Sequence, residues 1–258
     1  MDKGTKLRFA ISAVFILALL IAANIIDSQP KQGADLCTGK PGGNVAILLD
    51  YSDKIYKTTH SAIQNRVQEI INDDSKVKPN DRVSVFLLTD DLTKVEPVFS
   101  FCRPITGGNP LTSNPMVQEA FLKFFEKRLQ EGMNKKPDDV ANSPIIEMVS
   151  TIGRTSFFND NRRSLIIFSD LLQYSKNSVN LYTACNGNSS AAHDNGVGAF
   201  KQYINNSKAY PPLFLQRNVL VELHQIPRPD IRNIQLGCLT SFWQDAFGQS
   251  TPFIIPLP

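Results

Sequence analysis

Short, mainly apolar runs recur along the chain, and the segments between them place apolar residues at helical spacing. The runs cover residues 45–49, 82–88, 164–168 and 218–226. Near-continuous apolar runs of this length are typical of strands that are buried on both faces of a parallel sheet. Between the first two runs, the spacing of Ile63, Val67 and Ile70 predicts an amphipathic helix. Strands that alternate with helices predict an α/β fold with a doubly wound, mostly parallel sheet.

Further segments complete this pattern. The segment 95–101 predicts an edge strand, because Pro97 cannot donate a hydrogen bond to a central ladder. Ser143 and Pro144 predict the cap and the first position of a helix. A last helix is predicted over 234–247, and the polar segment 174–195 is expected to be a surface excursion. A helix over 115–131 is predicted to place on one apolar side Val117, Phe121, Phe124, Phe125 and Leu129.

The N-terminal segment differs from the rest of the chain, because residues 9–26 carry no charge. At about 1.5 Å per residue, a helix of this length can just cross the apolar core of a bilayer. Lys3, Lys6 and Arg8 precede the run, and the positive-inside rule therefore places residues 1–8 in the cytoplasm. The sequence predicts a single transmembrane helix that is followed by an exported domain. A cleaved signal peptide is the alternative, although its apolar core is usually shorter.

Composition and charge are those of a globular, nearly neutral domain. The chain has 258 residues, of which 42% are hydrophobic and 20% charged, and its formal net charge is +3. Binding to a nucleic acid backbone needs a concentrated basic face, so scattered basic residues predict no nucleic-acid partner. Residues 27–43 are rich in glycine, proline and polar residues, and they are predicted to be a linker. A single domain over 44–258 is large enough to bury a sizeable core.

The cysteines all follow the apolar N-terminal segment, at Cys37, Cys102, Cys185 and Cys238. None of them has the spacing of a zinc-binding motif. An even number of cysteines in an exported domain favours disulfides, and buried free thiols are the alternative. More than one pairing is possible, and the order of the predicted elements favours Cys37–Cys102 together with Cys185–Cys238.

Acidic residues follow three of the apolar runs. Asp50 ends the first run, Asp90 and Asp91 come shortly after the second, and Asp170 follows the third. Binding sites in open α/β sheets lie beyond the carboxyl ends of the parallel strands. An aspartate in this position is expected to be solvated, to cap a helix or to bind a cation. The sequence contains no Walker loop, nucleophile elbow or dinucleotide-binding glycine motif, and a structural or surface role is expected of the isolated histidines His60, His193 and His224.

The order of the elements, with Asp50-Tyr51-Ser52 after the first strand and Asp170 after a later one, resembles the von Willebrand factor A domain over about residues 44–250. The resemblance implies an antiparallel edge strand after the second strand. More loosely, the chain is similar to membrane-anchored bacterial proteins of this type. Those proteins combine an Asp-x-Ser/Thr-Asp start with a Ser-Asp-hydrophobic turn and a C-terminal Phe-Trp helix. The segments 168–172 and 241–243 fit that pattern.

The metal-ion-dependent adhesion site of that family implies a set of metal ligands in this chain. Its residues are best matched here by Asp50, Ser52, Ser143 and Asp170, while Lys54 replaces its last serine. Carboxylate and hydroxyl oxygens are the ligands that a hard cation such as Mg²⁺ or Mn²⁺ prefers. An ammonium group near the cation costs Coulomb energy. Lys54 therefore leaves two arrangements open, a degenerate metal site and a metal-free salt bridge or cap.

The leading hypothesis is a non-catalytic protein-binding or assembly module. Its helix would hold it in a complex with protein partners at a bacterial cell membrane, and the domain would lie on the periplasmic or extracytoplasmic side. The alternative is a metal-dependent hydrolase or phosphatase that uses Asp50, Asp90 and Asp170 as carboxylate ligands. Against this alternative, position 52 is serine where a dehalogenase-type phosphatase has a second aspartate.

Overall fold

A computed structural model describes residues 33–53, 55–105, 114–135, 142–158, 162–175, 179–185, 194, 196, 198–199, 201–202, 219–247 and 253–257. The predicted cytoplasmic residues 1–8, the predicted membrane helix at 9–26 and the first part of the predicted linker lie outside these ranges, as does His193. Among the helices that are described, none combines the length and the apolar character that crossing a bilayer requires.

The strands are β1 (Asn44–Leu49), β2 (Arg82–Leu87), β3 (Phe99–Cys102), β4 (Arg163–Ser169), β5 (Val219–Gln225) and β6 (Phe253–Pro256). They form one sheet in the order β3-β2-β1-β4-β5-β6. Among the described strands, only the pairing of β2 with β3 is antiparallel, and the other neighbouring strands are parallel. The predicted mostly parallel sheet with one antiparallel edge strand is therefore confirmed.

The helices are α1 (Lys57–Asn72), α2 (Pro115–Met133), α3 (Ile145–Ile152), α4 (Leu181–Cys185), α5 (Arg232–Ile234) and α6 (Thr240–Phe247). A π-helical turn, Gln235–Leu239, joins α5 to α6. Alternate residues of a strand point to opposite sides of the sheet, so a buried strand has two apolar faces. The helices cover both of these faces. In β1, Ile47 and Leu49 pack into a cluster with α1 and α2, whereas Ala46 and Leu48 pack with α3, α4 and α6. Trp243 lies in this second cluster and is fully buried.

Several elements differ from the sequence-based expectation. The strand β3 begins only after Pro97, so the proline lies outside the ladder. In α2, Phe125 is buried but Val117 and Phe124 are exposed, so the predicted apolar side faces the core only near its C-terminal end. The apolar pattern does not predict β6, because this run is short and ends at Pro256. Its pairing with β5 defines it as a strand.

The residues before β1 and the two disulfides tie the outer segments to the domain. Leu36 is buried, and a disulfide joins Cys37 to Cys102 at the end of β3. A second disulfide joins Cys185 of α4 to Cys238. Both predicted pairings are confirmed. All four cysteines lie within the described residues, and none of them is free.

Tyr174 and residues 179–185 are anchored to the domain. Tyr174 forms β-bridges with Ser143 and with Asn180, and Leu181 of α4 is buried. The expectation of a purely surface excursion is therefore wrong for the part of this segment that the structure describes.

Candidate functional site

The candidate site lies at the carboxyl ends of β1 and β4, where the winding of the sheet changes direction. The chain passes from β1 to β2 on one side of the sheet, and from β4 to β5 on the other side. Loops diverge at such a switch point and leave a crevice in which α/β proteins bind ligands. Asp50 and Asp170 directly follow these two strands. We call the surface at this edge the rim, and it consists of Asp50, Ser52, Asp53, Ser143, Asp170 and Arg228.

The Asp50 carboxylate is buried and accepts hydrogen bonds at both oxygens. Its Oδ1 accepts from the amide of Ser52 at 3.0 Å and from the hydroxyl of Ser52 at 2.6 Å. Its Oδ2 accepts from the hydroxyls of Ser143 at 3.0 Å and Ser169 at 2.6 Å. Hydroxyl groups from three separate segments therefore converge on one carboxylate and stabilise its charge in a buried position.

Ser143 is held at the rim by the backbone of Tyr174. The amide of each residue donates to the carbonyl of the other, and both distances are 2.9 Å. The Ser143 hydroxyl is thus directed to Asp50, and its predicted role as the cap of α3 is wrong. Gln173 performs that role, because its Oε1 accepts from the amide of Ile146 at 2.8 Å.

Asp170 lies in a tight turn after β4, and its Oδ1 accepts from the amide of Leu172 at 2.9 Å. Leu171 has a φ of 68°, a left-handed conformation that leucine rarely adopts. Its amide donates to Ser169 Oγ at 2.8 Å, and its carbonyl accepts from the indole of Trp243 at 2.9 Å. The buried Trp243 therefore supports the turn that presents Asp170. The Ser-Asp-hydrophobic turn and the Phe-Trp helix, two separate motifs in the sequence, are in direct contact.

Arg228 lies in the loop between β5 and α5 and places its guanidinium at the rim. Its Nη1 donates to Asp170 Oδ2 at 3.0 Å and also contacts Asp53. Its Nε and Nη2 donate to the two carboxylate oxygens of Asp230 at 3.1 and 2.9 Å. Such fork-shaped pairing is a property of arginine. The hydrogen bonds to Asp230 and the neighbouring carboxylates raise the pKa of Arg228, so this side chain stays charged.

The protonation of Asp170 depends on its neighbours. Burial, together with the negative charge of Asp50, raises the pKa of Asp170 to about 7. The Leu172 amide and the Arg228 guanidinium act in the opposite direction, because they favour the charged form. Near neutral pH, any further cation at this position would therefore stabilise the ionised carboxylate.

Two cavities flank Arg228 at the rim. The first has a volume of about 340 Å³, and its lining includes Asp50, Asp170, Ile55, Tyr56 and Ile226. The second has a volume of about 390 Å³, and its lining includes Ser52, Ser143, Tyr174 and Tyr182. The three tyrosines are exposed. Tyrosine and arginine are enriched at the centres of protein interfaces, so this surface has the composition of a contact site.

The predicted ligand residues all lie at the rim. Ser52 and Ser143 donate to Asp50, and Asp170 lines the same cavity as Asp50. Lys54 lies outside the described residues. Two carboxylates and two hydroxyls form a set of oxygen donors that fits a hard divalent cation. Within the described part of the chain, no three His, Cys, Asp or Glu side chains are grouped to hold a metal ion. A cation at the rim would therefore depend on the serine hydroxyls.

Asp90 and Asp91, the acidic residues after β2, do not line the two cavities at the rim. Asp91 caps a short 3₁₀ turn, because its carboxylate accepts from the amide of Thr93 at 3.0 Å. Asp90 is exposed.

The sequence patterns do not identify Arg228 as a rim residue or Ser169 as a partner of Asp50. The signal in the sequence for Arg228 is its position after a strand, because the Pro227-Arg228-Pro229-Asp230 segment follows β5. Ser169 is the last residue of β4, and only its pairing geometry shows that its hydroxyl reaches Asp50.

Comparisons with known proteins give weak likenesses. No family model and no curated protein matches the sequence. Among solved structures, proximal thread matrix protein 1 from the mussel byssus has a TM-score of 0.39 and 13% identity, and the match covers 76% of this chain and 41% of that protein. The chain thus spans less than half of that protein's length.

Two bacterial structures match over most of their own length. An aerotolerance-related membrane protein from Bacteroides fragilis has a TM-score of 0.36 and 14% identity, with 84% of this chain and 92% of that one covered. BatB from Bacteroides thetaiotaomicron, a conserved hypothetical protein, has a TM-score of 0.35 and 15% identity, with 84% and 90% covered. Because these TM-scores are below 0.5, the fold assignment rests on the strand order of the sheet itself.

Proposed function

We propose that this chain is a membrane-anchored, non-catalytic binding module whose rim contacts a protein partner on the extracytoplasmic side. The proposal rests on the position of four residues in the sheet. The loops after β1 and β4 and the segment before α3 bring Asp50, Ser52, Ser143 and Asp170 to the switch point of the sheet. These residues border two open cavities with exposed tyrosines, a surface that suits a protein side chain.

The rim has the donors for a divalent cation such as Mg²⁺ or Mn²⁺, and we propose that Asp50, Ser52, Ser143 and Asp170 would hold it. When bound, the cation would supply a coordination position for a carboxylate of the partner. The protein's own contribution is to hold the oxygens together in advance. Ser52 and Ser143 are already directed to Asp50, and the contact of Trp243 with Leu171 keeps the Asp170 turn in place.

Membrane anchoring is part of the proposal and rests on the sequence. The uncharged run at 9–26 and the basic residues before it support a helix with a cytoplasmic N-terminus. The two disulfides agree with this orientation, because structural disulfides are typical of oxidising, extracytoplasmic compartments.

The proposed binding function can be tested by purifying the full chain from its native membrane together with the proteins that bind to it. A tagged wild-type chain is crosslinked in the membrane and purified, and the proteins that accompany it are quantified by mass spectrometry. We expect Asp170→Asn to reduce the recovery of the main partner by about tenfold, because it removes a central charge of the interface.

The matched control is Glu119→Gln, which removes one negative charge from an exposed i,i+4 ion pair on α2. Exposed pairs of this kind contribute little to stability or binding, so this variant should capture the partner as the wild type does. If both variants recover the same proteins in the same amounts, the rim is not the contact surface.

A further inference from the structure

We propose that Arg228 is the resident cation of the rim, and that a divalent cation can use Asp170 only after displacing Arg228 from it. The inference concerns the same surface as the proposed function and adds a means of regulating it. It predicts a rim in which a guanidinium offsets the charge of Asp170 without metal, and whose affinity for metal is set by that one arginine.

The loop that carries Arg228 is fixed before any ligand arrives. The amide of Arg228 donates to Gln235 Oε1 at 2.9 Å, and Gln235 is buried. The Gln235 amide group donates to the carbonyls of Asp170 at 3.1 Å and Ile226 at 2.8 Å. One side chain therefore joins the loop of Arg228 to the loop of Asp170. The guanidinium is held against its carboxylate partner by a preformed framework.

The competition between Arg228 and a metal ion is for one oxygen atom. Asp170 Oδ1 already accepts from the amide of Leu172, and Oδ2 accepts from Arg228 Nη1 at 3.0 Å. A cation that uses Asp170 Oδ2 must replace the guanidinium or share the oxygen with it. Sharing places two positive charges close together in a partly buried site, where Coulomb repulsion is weakly screened.

The guanidinium has other carboxylate partners, Asp230 and Asp53, that it can keep when it leaves Asp170. It also binds both carboxylate oxygens of Asp230, whose side chain is exposed, and it contacts the exposed Asp53. Arg228 can keep these outer partners while it gives up the inner one. The rim thus has two arrangements that differ in which cation, the guanidinium or the metal ion, offsets the charge of Asp170.

The test measures metal binding by the full chain in detergent after treatment with a chelator. Electron paramagnetic resonance of free Mn²⁺ gives the Kd of the protein for this ion. We expect Arg228→Gln to bind Mn²⁺ at least about tenfold more tightly than the wild type, because a competing charge is removed. The double variant Arg228→Gln with Asp170→Asn should lose this gain.

The matched control is Arg232→Gln, which removes the same charge from an exposed residue in the same part of the chain. It should leave the Kd within about twofold of the wild type, because an exposed charge is screened by solvent. The proposal is overturned if Arg228→Gln binds Mn²⁺ no more tightly than the wild type, or if Arg232→Gln gains as much.

A second variant covers the case in which Arg228→Gln does not fold. Arg228→Lys keeps the charge but lacks the fork that binds Asp230 and Asp170 together. We expect Mn²⁺ to raise the melting temperature of Arg228→Lys more than that of the wild type. Equal shifts in the two proteins would overturn the proposal. Neither measurement needs a partner, so this inference and the proposed function can fail separately.

Discussion

Asp50 and Asp170 are both buried and both follow a strand, but their charges are stabilised in different ways. Asp50 is surrounded by hydroxyl and amide donors, whereas Asp170 has one amide and one guanidinium. The charge of Asp50 also raises the pKa of Asp170. At the scale of single residues, the rim therefore contains one carboxylate that is satisfied by uncharged donors and one that is paired with an arginine from another loop.

A second group of charged residues lies away from the rim, around the buried His224 of β5. The Lys76 ammonium is 2.7 Å from both oxygens of Glu222, and His224 Nε2 is 3.4 Å from Glu222 Oε2. At that distance the imidazole is too far away for a good hydrogen bond, so Lys76 is the stronger partner of the carboxylate. The His224 ring stacks on Phe168, with 4.6 Å between the ring centroids.

Because Glu222 and His224 both have shifted pKa values, we expect acid to destabilise the domain. Contact with His224 and with the Lys76 ammonium lowers the pKa of Glu222 to about 2, so its contribution to stability is lost as the pH falls below the ordinary glutamate range. Burial lowers the pKa of His224, and the positive charges of Arg66 and Lys76 act in the same direction while Glu222 opposes them. The unfolded chain therefore takes up a proton at His224 before the folded protein does, and stability falls as the pH drops below about 6.5.

The measurement is urea unfolding at pH 7 and at pH 5. The wild type should lose on the order of 1 kcal/mol through His224 between these values. In His224→Phe, which keeps the stacking on Phe168, this part of the loss should disappear. An equal loss in both proteins would show that His224 is not the group that titrates.

At the scale of elements, Gly196, a helical residue, packs very closely against the π-helical turn before α6. A Cβ atom at Gly196 would lie 2.7 Å from the carbonyl oxygen of Cys238 and 3.1 Å from the amide nitrogen of Phe242. Cys238 is also fixed by its disulfide to Cys185 of α4. Gly196 is therefore needed for close approach of two backbones, which a side chain of any size would prevent.

Gly196→Ala should therefore destabilise the domain by about 1–3 kcal/mol, the usual cost of overpacking. Gly198 is the matched control, because it is also helical and a Cβ atom there would meet nothing within 4 Å. Gly198→Ala should leave the stability unchanged or raise it slightly, since alanine favours helix more than glycine does. Thermal melting monitored by circular dichroism compares the two, and similar melting temperatures would contradict the close packing of this helix.

At the scale of the whole molecule, the disulfides and the N-terminal sequence point to the same compartment. Both disulfides join residues that are distant in sequence, with separations of 65 and 53 residues. Cross-links of this kind form in oxidising compartments and are rare in the cytosol. The predicted orientation places the cytoplasm on the N-terminal side of the apolar run and the domain on the other side.

We therefore expect a reporter enzyme that is active only after export to be active when it is fused to the C-terminus of the full chain. Deletion of residues 9–26 should keep the reporter inactive, because the segment that inserts into the membrane is lost. Alkylation of the full chain before reduction should leave all four cysteines unmodified. An inactive reporter on the intact chain, or four alkylated thiols, would contradict the predicted topology.

The sequence by itself predicts the class of the fold and part of the site. Strands that are buried on both faces of a parallel sheet are mainly apolar, so β1, β2, β4 and β5 are visible as runs, and binding sites in open α/β sheets lie beyond the carboxyl ends of the parallel strands. Asp50 and Asp170 could therefore be identified before any coordinates. The short β6 could not, because four residues ending in proline become a strand only through pairing with β5.

The tertiary structure alone decides how the charges at the rim are balanced. Ser143 could cap a helix or contact Asp50, and its backbone pairing with Tyr174 selects the contact with Asp50. Arg228 is 58 residues away from Asp170 in the sequence, and no local pattern relates the two. Their contact results from the parallel pairing of β4 with β5, which brings the ends of both strands to the same edge of the sheet. Patterns along a chain indicate which residues are buried, whereas a partner that is distant in sequence is determined only by the packing of the elements.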